Sequence, residues 1–263
     1  MPAPVFRFAP SPNGRLHLGH AYSALLNQHL ALEESGRLLL RIEDTDQSRC
    51  RPDFVQGVYE DLAWLGITWE EPVRMQSEHF AGYEANLRKL WEMQAIYPCF
   101  CSRRQTAEEA LLAADPDGQP RYGGMCRNFS RELALERISQ GEIHGWRIDM
   151  RAWDSGSAAV WGDAVIAKRL VGSSFHITVV TDDALQGVTH VVRGEDIEPA
   201  TSLHILLQRL LDLPTPHYTH HHLIRDEASR KLSKSLQSKS LQALRESGVT
   251  AQDIRRELGF AQR

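Results

Sequence analysis

The stretch Arg7–His20, RFAPSPNGRLHLGH, changes its period in the middle. Apolar Val5, Phe6 and Phe8 read as a strand, and Pro10, Pro12 and Gly14 break it into a turn. Leu18, Ala21, Tyr22, Leu25, Leu26, His29 and Leu30 then recur at helical spacing. A strand that turns directly into a helix aims backbone N–H groups at an anion, because the first amides of a helix lack partners within it and carry the positive end of its dipole. Gly19 has no Cβ, so a phosphate or an adenine can approach its backbone. His17 and His20 add side-chain donors. Two histidines that merely fill a helix start would also satisfy so short a string, and its meaning therefore depends on what the rest of the chain places beside it.

With 263 residues, 42% of them apolar, the chain can bury a sizeable core and fits one large α/β domain with one or two small appendages. No apolar run approaches the ~20 residues needed to span a bilayer, and the N-terminus lacks the segments of a secretory signal. A cytoplasmic protein with no membrane partner is expected, and a monomer. The net charge of −4 excludes a protein that coats itself with nucleic acid and confines any such contact to a local basic face. Residues 221–263 supply a candidate, with nine Lys or Arg against five Asp or Glu.

After the first helix, Arg37–Asp46 (RLLLRIEDTD) reads as a buried strand ending in an acidic loop, which completes a β-α-β unit. Helical spacing returns at Phe54, Val58, Leu62 and Leu65, with Pro52 near the start, and at Phe80, Tyr83, Leu87, Leu90 and Trp91. These helices are expected to cover the sheet. Between Tyr97 and Val171 the pattern changes to CFC, a Pro/Gly-rich loop, one helix near Ser130–Ile138 and strand-like runs around Trp146 and Val160. Strands are expected to resume at Phe175–Thr181 and Val188–Arg193, followed by a helix bearing Leu203, Leu206, Leu207, Leu210 and Leu211, and by a last strand at Tyr218–Ile224. Leu236–Arg263 holds two short helical segments.

The expected fold is a Rossmann-type doubly wound parallel α/β sheet with a small inserted α+β subdomain and a short helical tail. The boundaries read as residues 1–96 and 172–235 for the two halves of the catalytic domain, 97–171 for the insertion and 236–263 for the tail. HYTHHH places His220 and His222 on one strand face, where a polar strand end and a metal site are both open readings; with no carboxylate or cysteine nearby in sequence, the strand end is favoured.

KLSKS, Lys231–Ser235, lies more than two hundred residues after HLGH, yet both are expected on loops at the C-terminal edge of one sheet, where open α/β folds bind ligands. Together they resemble the two signatures of the class I aminoacyl-tRNA synthetases, and RFAPSPNG, LRIEDTD and VVRGED resemble the glutamyl branch over nearly the whole chain. That resemblance implies attack of an amino-acid carboxylate on the α-phosphorus of ATP, brought with Mg²⁺, and loss of pyrophosphate. No protein nucleophile is needed; His17, Gly19 and His20 with Lys231 and Lys234 would hold the phosphates. It further implies that Arg7, Ala9 and Ser11 line a glutamate pocket, that Glu43 receives the ammonium and that Arg193 reaches a carboxylate as a bidentate fork. Two positions depart from the family pattern. The pocket tyrosine eighteen residues before Arg193 falls at Phe175, and the asparagine four residues later falls at Val179.

Cys99, Cys101 and Cys126 offer three thiolates with a Gly-rich knuckle around the last, so a zinc site completed by an N or O donor stands beside the reading of three reduced thiols. The resemblance names Tyr122 as the fourth ligand. The chain also ends where a glutamyl-tRNA synthetase would continue into a helical anticodon-binding region. That resembles the stand-alone glutamyl-queuosine tRNA(Asp) synthetases. Their implied reaction activates glutamate without tRNA and transfers it to queuosine at the wobble position in the anticodon loop of tRNA(Asp). A minimal synthetase charging a tRNA 3′ end, an HxGH nucleotidylyltransferase and a non-catalytic binding module are the alternatives.

Overall fold

The computed structural model describes residues 2–108, 114–153, 156–224 and 239–260. The chain forms two compact units, one of residues 1–78, 187–198 and 216–263, the other of residues 79–186 and 199–215. It begins with β1 (Val5–Phe8), α1 (Leu18–Glu33), β2 (Arg37–Ile42), α2 (Pro52–Trp64) and β3 (Glu70–Met75) in the first unit. The second unit takes α3 (Phe80–Glu92), β4 (Ile96–Cys99), α4 (Arg103–Glu108), α5 (Arg131–Ser139), β5 (Gly145–Ile148), α6 (Met150–Trp153), β6 (Val165–Ala167) and α7 (Phe175–Leu185). Then β7 (His190–Gly194) returns to the first unit, α8 (Ala200–Leu211) to the second, and β8 (His217–His221), α9 (Leu241–Glu246) and α10 (Ala251–Glu257) close the chain in the first.

The first unit is built on a five-stranded, all-parallel sheet in the order β3-β2-β1-β7-β8. The chain leaves β1 toward β2 and β3 on one side and resumes on the other with β7, so β1 and β7 flank the switch point of the sheet, where such folds bind ligands. Strand alternation sorts the side chains. Phe6, Phe8, Leu38, Leu40, Ile42 and Val192 join the core formed with α1, α2, α9 and α10, while Val5, Leu39 and Val191 belong to a smaller cluster with Val188 and Tyr218 on the opposite face. Pro52 opens α2 at its first turn, where a missing N–H costs nothing.

Several sequence expectations change on contact with the structure. Phe175–Thr181 is not a strand but most of helix α7. Its run from Ile177 to Thr181 is made wholly of β-branched residues, which favour strands, yet Ile177–Asp183 is buried on every side of the helix, so burial outside the segment overrides local propensity. Val160 lies in a 3₁₀ turn (Ser157–Trp161), and the strand falls five residues later, at β6. Helix α3, expected to cover the parallel sheet, belongs to the second unit, where its Tyr83 donates to Asp182 and its Asn86 to Thr181 of α7. The units therefore cut across the boundaries at residues 96 and 172. The second unit also holds the antiparallel sheet β4-β5-β6. Among the described residues no helix is long and apolar enough to cross a membrane.

Candidate active site

The helix start at HLGH is organised by its own side chains. His17 is the N-cap of α1: its Nδ1 accepts from the Gly19 amide at 3.1 Å, and its amide donates to Nδ1 of His20 at 3.2 Å. This reciprocal capping box uses imidazoles where hydroxyls and carboxylates are usual. Since both rings accept at Nδ1, their neutral forms carry the proton on Nε2, and each offers an N–H donor suited to a phosphoryl oxygen. The glycine is used internally as well, because a Cβ at Gly19 would stand 3.0 Å from the His17 ring.

Above the sheet, one face changes character along three adjacent strands. Val5, Leu39 and Val191 are followed two residues later by Arg7, Arg41 and Arg193, which alternation keeps on the same face. Arg7 pairs in register with Leu39, and Phe6 with His190; carried forward, this brings Arg193 level with Ala9. Arg7 and Arg193 are 5% exposed and Arg41 is fully buried. Glu43 leaves the end of β2 beside them, its amide donating to Pro10 O at 3.0 Å and its carboxylate 3.3 Å from the Arg41 guanidinium. Arg193 lies over the Tyr218 ring at 5.1 Å, which fixes its fork. Three arginines thus share one face at the ends of three adjacent strands, with one carboxylate at the end of β2, a set of charges suited to a ligand with two carboxylates and one ammonium. Arg41 was not singled out in the sequence; the signal was there in the repeated apolar-x-Arg spacing of three strands.

Ala9 is half-buried and Ser11 exposed in the turn that follows β1. Lys231 and Lys234 lie outside the described residues, but the segments on either side are placed. Ile224 packs on the first unit's core, Ser240 forms an antiparallel bridge with His17, and the Leu241 amide donates to Leu16 O at 2.9 Å. The carboxylate absent from the sequence reading of HYTHHH is Glu195, which meets His222 Nδ1 at 2.8 Å. This is an exposed pair, and the described residues contain no other cluster of three potential ligands than the cysteines.

In the second unit Phe175 opens α7, half-buried, with its ring edge-to-face on His204 at 5.3 Å. Val179, one turn on, is buried. Cys99, Cys101 and Cys126 bring their sulfurs within 4.8 Å of one another. Cys101 Sγ lies 3.1 Å from Tyr122 Oη and 3.5 Å from Cys126 Sγ, and the Cys126 amide donates to Tyr122 Oη at 2.9 Å. A tetrahedral zinc with bonds of ~2.3 Å spaces its sulfurs by roughly 3.8 Å, so the donor set fits. Hydrogen bonding from the Cys126 thiol, helped by the Arg147 guanidinium, holds the Cys99 thiol down to about 5 against the cost of burial. Arg147 also lies 4.2 Å over the Tyr122 ring, and Arg127, next to Cys126, is tied to buried Asp163, which Tyr97 shares.

Fold and site together define a class I synthetase core. Residues 5–260 match the family model described as tRNA synthetases class I (E and Q), catalytic domain, and the chain is an ATP-dependent ligase of that class. A glutamyl-Q tRNA(Asp) synthetase of Rhodobacter capsulatus is 41% identical over 97% of this chain and 100% of its own length. A second relative of that name, from Nitratidesulfovibrio vulgaris, is 34% identical over 94% of this chain and 83% of its own. The glutamate–tRNA ligase of Aquifex aeolicus is 37% identical over 92% of this chain but only 54% of its own length. The solved glutamate–tRNA synthetase of Elizabethkingia anophelis superposes with a TM-score of 0.75 at 25% identity, over 89% of this chain and 53% of that one. The chain belongs to the glutamyl-Q tRNA(Asp) synthetase family within the class I synthetases.

Proposed function

We propose that the protein activates L-glutamate with ATP and Mg²⁺ in the absence of tRNA, and then passes glutamate to the queuosine base at the wobble position of tRNA(Asp). A glutamate carboxylate oxygen bonds to the α-phosphorus as pyrophosphate leaves. A hydroxyl of queuosine's cyclopentene ring then attacks the acyl carbon of the adenylate and AMP leaves. Arg7, Arg41 and Arg193 hold the two carboxylates and Glu43 the ammonium, with Ala9 and Ser11 in the adjoining turn. His17 and His20 donate from Nε2 to phosphoryl oxygens where negative charge grows, with Lys231 and Lys234 as further cations. In this reading Cys99, Cys101, Tyr122 and Cys126 hold a structural zinc ion that supplies cross-linking and no chemistry.

The observation that supports the reading is that three buried arginines stand on one face of three adjacent parallel strands, β2, β1 and β7, with Glu43 at the end of β2. The full-length match to a relative named for queuosine-directed transfer favours that acceptor over a tRNA 3′ end. The test supplies labelled glutamate and ATP with tRNA(Asp) carrying or lacking queuosine. Label is expected only on the queuosine-bearing tRNA, and glutamate-dependent ATP–pyrophosphate exchange is expected with no tRNA at all. Labelling independent of queuosine would overturn the acceptor, and exchange independent of glutamate would overturn the enzyme class.

A further inference from the structure

One face of α2 carries a feature that the reaction outlined above does not use. Gly57, Glu60, Asp61 and Trp64 fall at i, i+3, i+4 and i+7, so they line a single stripe away from the apolar Val58 and Leu62. Two arginines from distant parts of the chain settle on that stripe. Arg15, two residues before His17, lies across Gly57 so closely that a Cβ there would stand 2.1 Å from its Nη1, and it reaches Glu60 Oε2 at 3.9 Å. Arg245 of α9 reaches the same Glu60 oxygen at 3.9 Å and Asp61 Oδ1 at 4.0 Å, and lies 5.9 Å over the Trp64 ring. Asp61 is fully buried, and neither of its oxygens has a hydrogen-bond donor among the described residues. Its ion-pair distance is long for a hydrogen bond, so what it supplies is a negative charge in a low-dielectric place between two cations.

We infer that Asp61 is a positioning residue that holds the turn leading into HLGH and the helix following the KLSKS segment against one face of α2, through Arg15 and Arg245. The turn into HLGH and α9 then share an anchor, and the Leu241–Leu16 hydrogen bond and the Ser240–His17 bridge are where that anchoring is felt. A buried carboxylate with no hydrogen bond is costly to the fold. Burial pushes Asp61 up to about 6, with Arg245 and then Arg15 opposing and Glu60 adding to it. A group kept for stability alone would not have this cost. The catalytic consequence rests on the proposed function; the anchoring does not.

The experiment compares wild type with Asp61→Asn and Arg245→Met, by amide hydrogen exchange and by glutamate-dependent ATP–pyrophosphate exchange. In both variants the amides of residues 16–20 and of residues 241–246 are expected to exchange at least fivefold faster, together. The ATP KM should rise about fivefold while the glutamate KM stays within twofold. Asp61→Asn should melt no lower than wild type at pH 7. Below about pH 6, where Asp61 takes a proton between Arg15, Arg245 and Glu60, the wild type should acquire the exchange pattern of Asp61→Asn. Unchanged exchange in both segments, or faster exchange in only one, would overturn the inference. So would a lower melting temperature with an unaltered ATP KM, the signature of a purely structural residue. If the wild type lacks the reaction altogether, the proposed function fails while hydrogen exchange still decides the anchoring.

Discussion

The arginine–histidine end of the parallel sheet and the cysteine knuckle of the second unit both gather polar groups from separated parts of the sequence, but they do so by different means. At the sheet, position follows from regular backbone. The Arg7, Arg41 and Arg193 residues stand two places beyond apolar partners on neighbouring parallel strands, and the histidines cap a helix. At the knuckle, Cys99 ends a strand, Cys101 follows it and Cys126 sits in a 3₁₀ turn, held by side-chain bonds such as Arg127 to Asp163 and Tyr122 to the Cys126 amide. Groups held by backbone should tolerate loss of a neighbour without moving. Groups held by one another should not.

The largest expected effect tests the first half of that contrast. Arg193→Ala should lower kcat/KM for glutamate about a thousandfold, in line with the ~3–5 kcal/mol lost when one partner of a buried charged contact is removed. The melting temperature should change little, because β7 keeps its ladder to β1 and β8. Arg193→Lys should recover only part of the activity, since an ammonium cannot make the bidentate contact. A large melting shift with retained activity would mean that the arginine serves the fold and not the ligand.

At the knuckle the order should reverse. On the proposed zinc site, chelation or Cys126→Ser should lower the thermal stability by several degrees and abolish bound zinc measured by atomic absorption. Exchange activity per folded molecule should fall less than tenfold. A preparation that holds no zinc yet melts unchanged after chelation would show that the three thiols suffice as a buried apolar cluster with Phe129 and Ile138.

This difference also explains what could be read from the sequence. Strand β1, helix α1, strand β2 and helix α2 follow from the sequence because the two strands are short apolar runs buried on both faces and bounded by turn residues, and the two helices carry apolar residues at helical spacing. Helix α7 reads as a strand in sequence because Ile177–Thr181 is an unbroken β-branched run, while its burial on all sides is decided by packing outside the segment. Arg7 and Arg193, the arginines of the proposed pocket, are visible through motif resemblance, whereas Arg41 shows only as a repeated apolar-x-Arg spacing until register aligns the three strands. The Asp61 stripe was invisible for another reason: a helix face that contacts two charged side chains from residues 15 and 245 looks, in sequence, like a solvated face.

Asp61 gives a third, smaller effect that lies within the first unit alone. Its folded pKa is raised from 3.8 to about 6 by burial, so the folded state holds the proton more tightly than the unfolded chain. Between those values the folded protein binds more protons, and stability from this group is lost as pH rises from about 4 to about 6. The full difference is about 3 kcal/mol at ~1.4 kcal/mol per pK unit. Urea unfolding should therefore show wild type losing stability relative to Asp61→Asn across that window and running parallel to it above pH 7. Curves that stay parallel from pH 4 to 7 would place the charge outside the buried stripe.

The smallest effect concerns Phe175, where the family pattern has a tyrosine. The Phe175 ring is half-buried at the first turn of α7, packed edge-on against His204, which is itself 3.2 Å from His176 Nδ1. Its partial exposure leaves room for a hydroxyl without repacking the helix, unlike Val179, whose burial would force an asparagine amide out of water with its own hydrogen bonds to find. On the proposed function, Phe175→Tyr should lower the glutamate KM by about three- to tenfold, the ~1 kcal/mol of one net hydrogen bond, with kcat nearly unchanged. Val179→Asn should instead destabilise the second unit without that gain. A Phe175→Tyr variant that changes neither constant would show that position 175 makes no polar contact to the substrate.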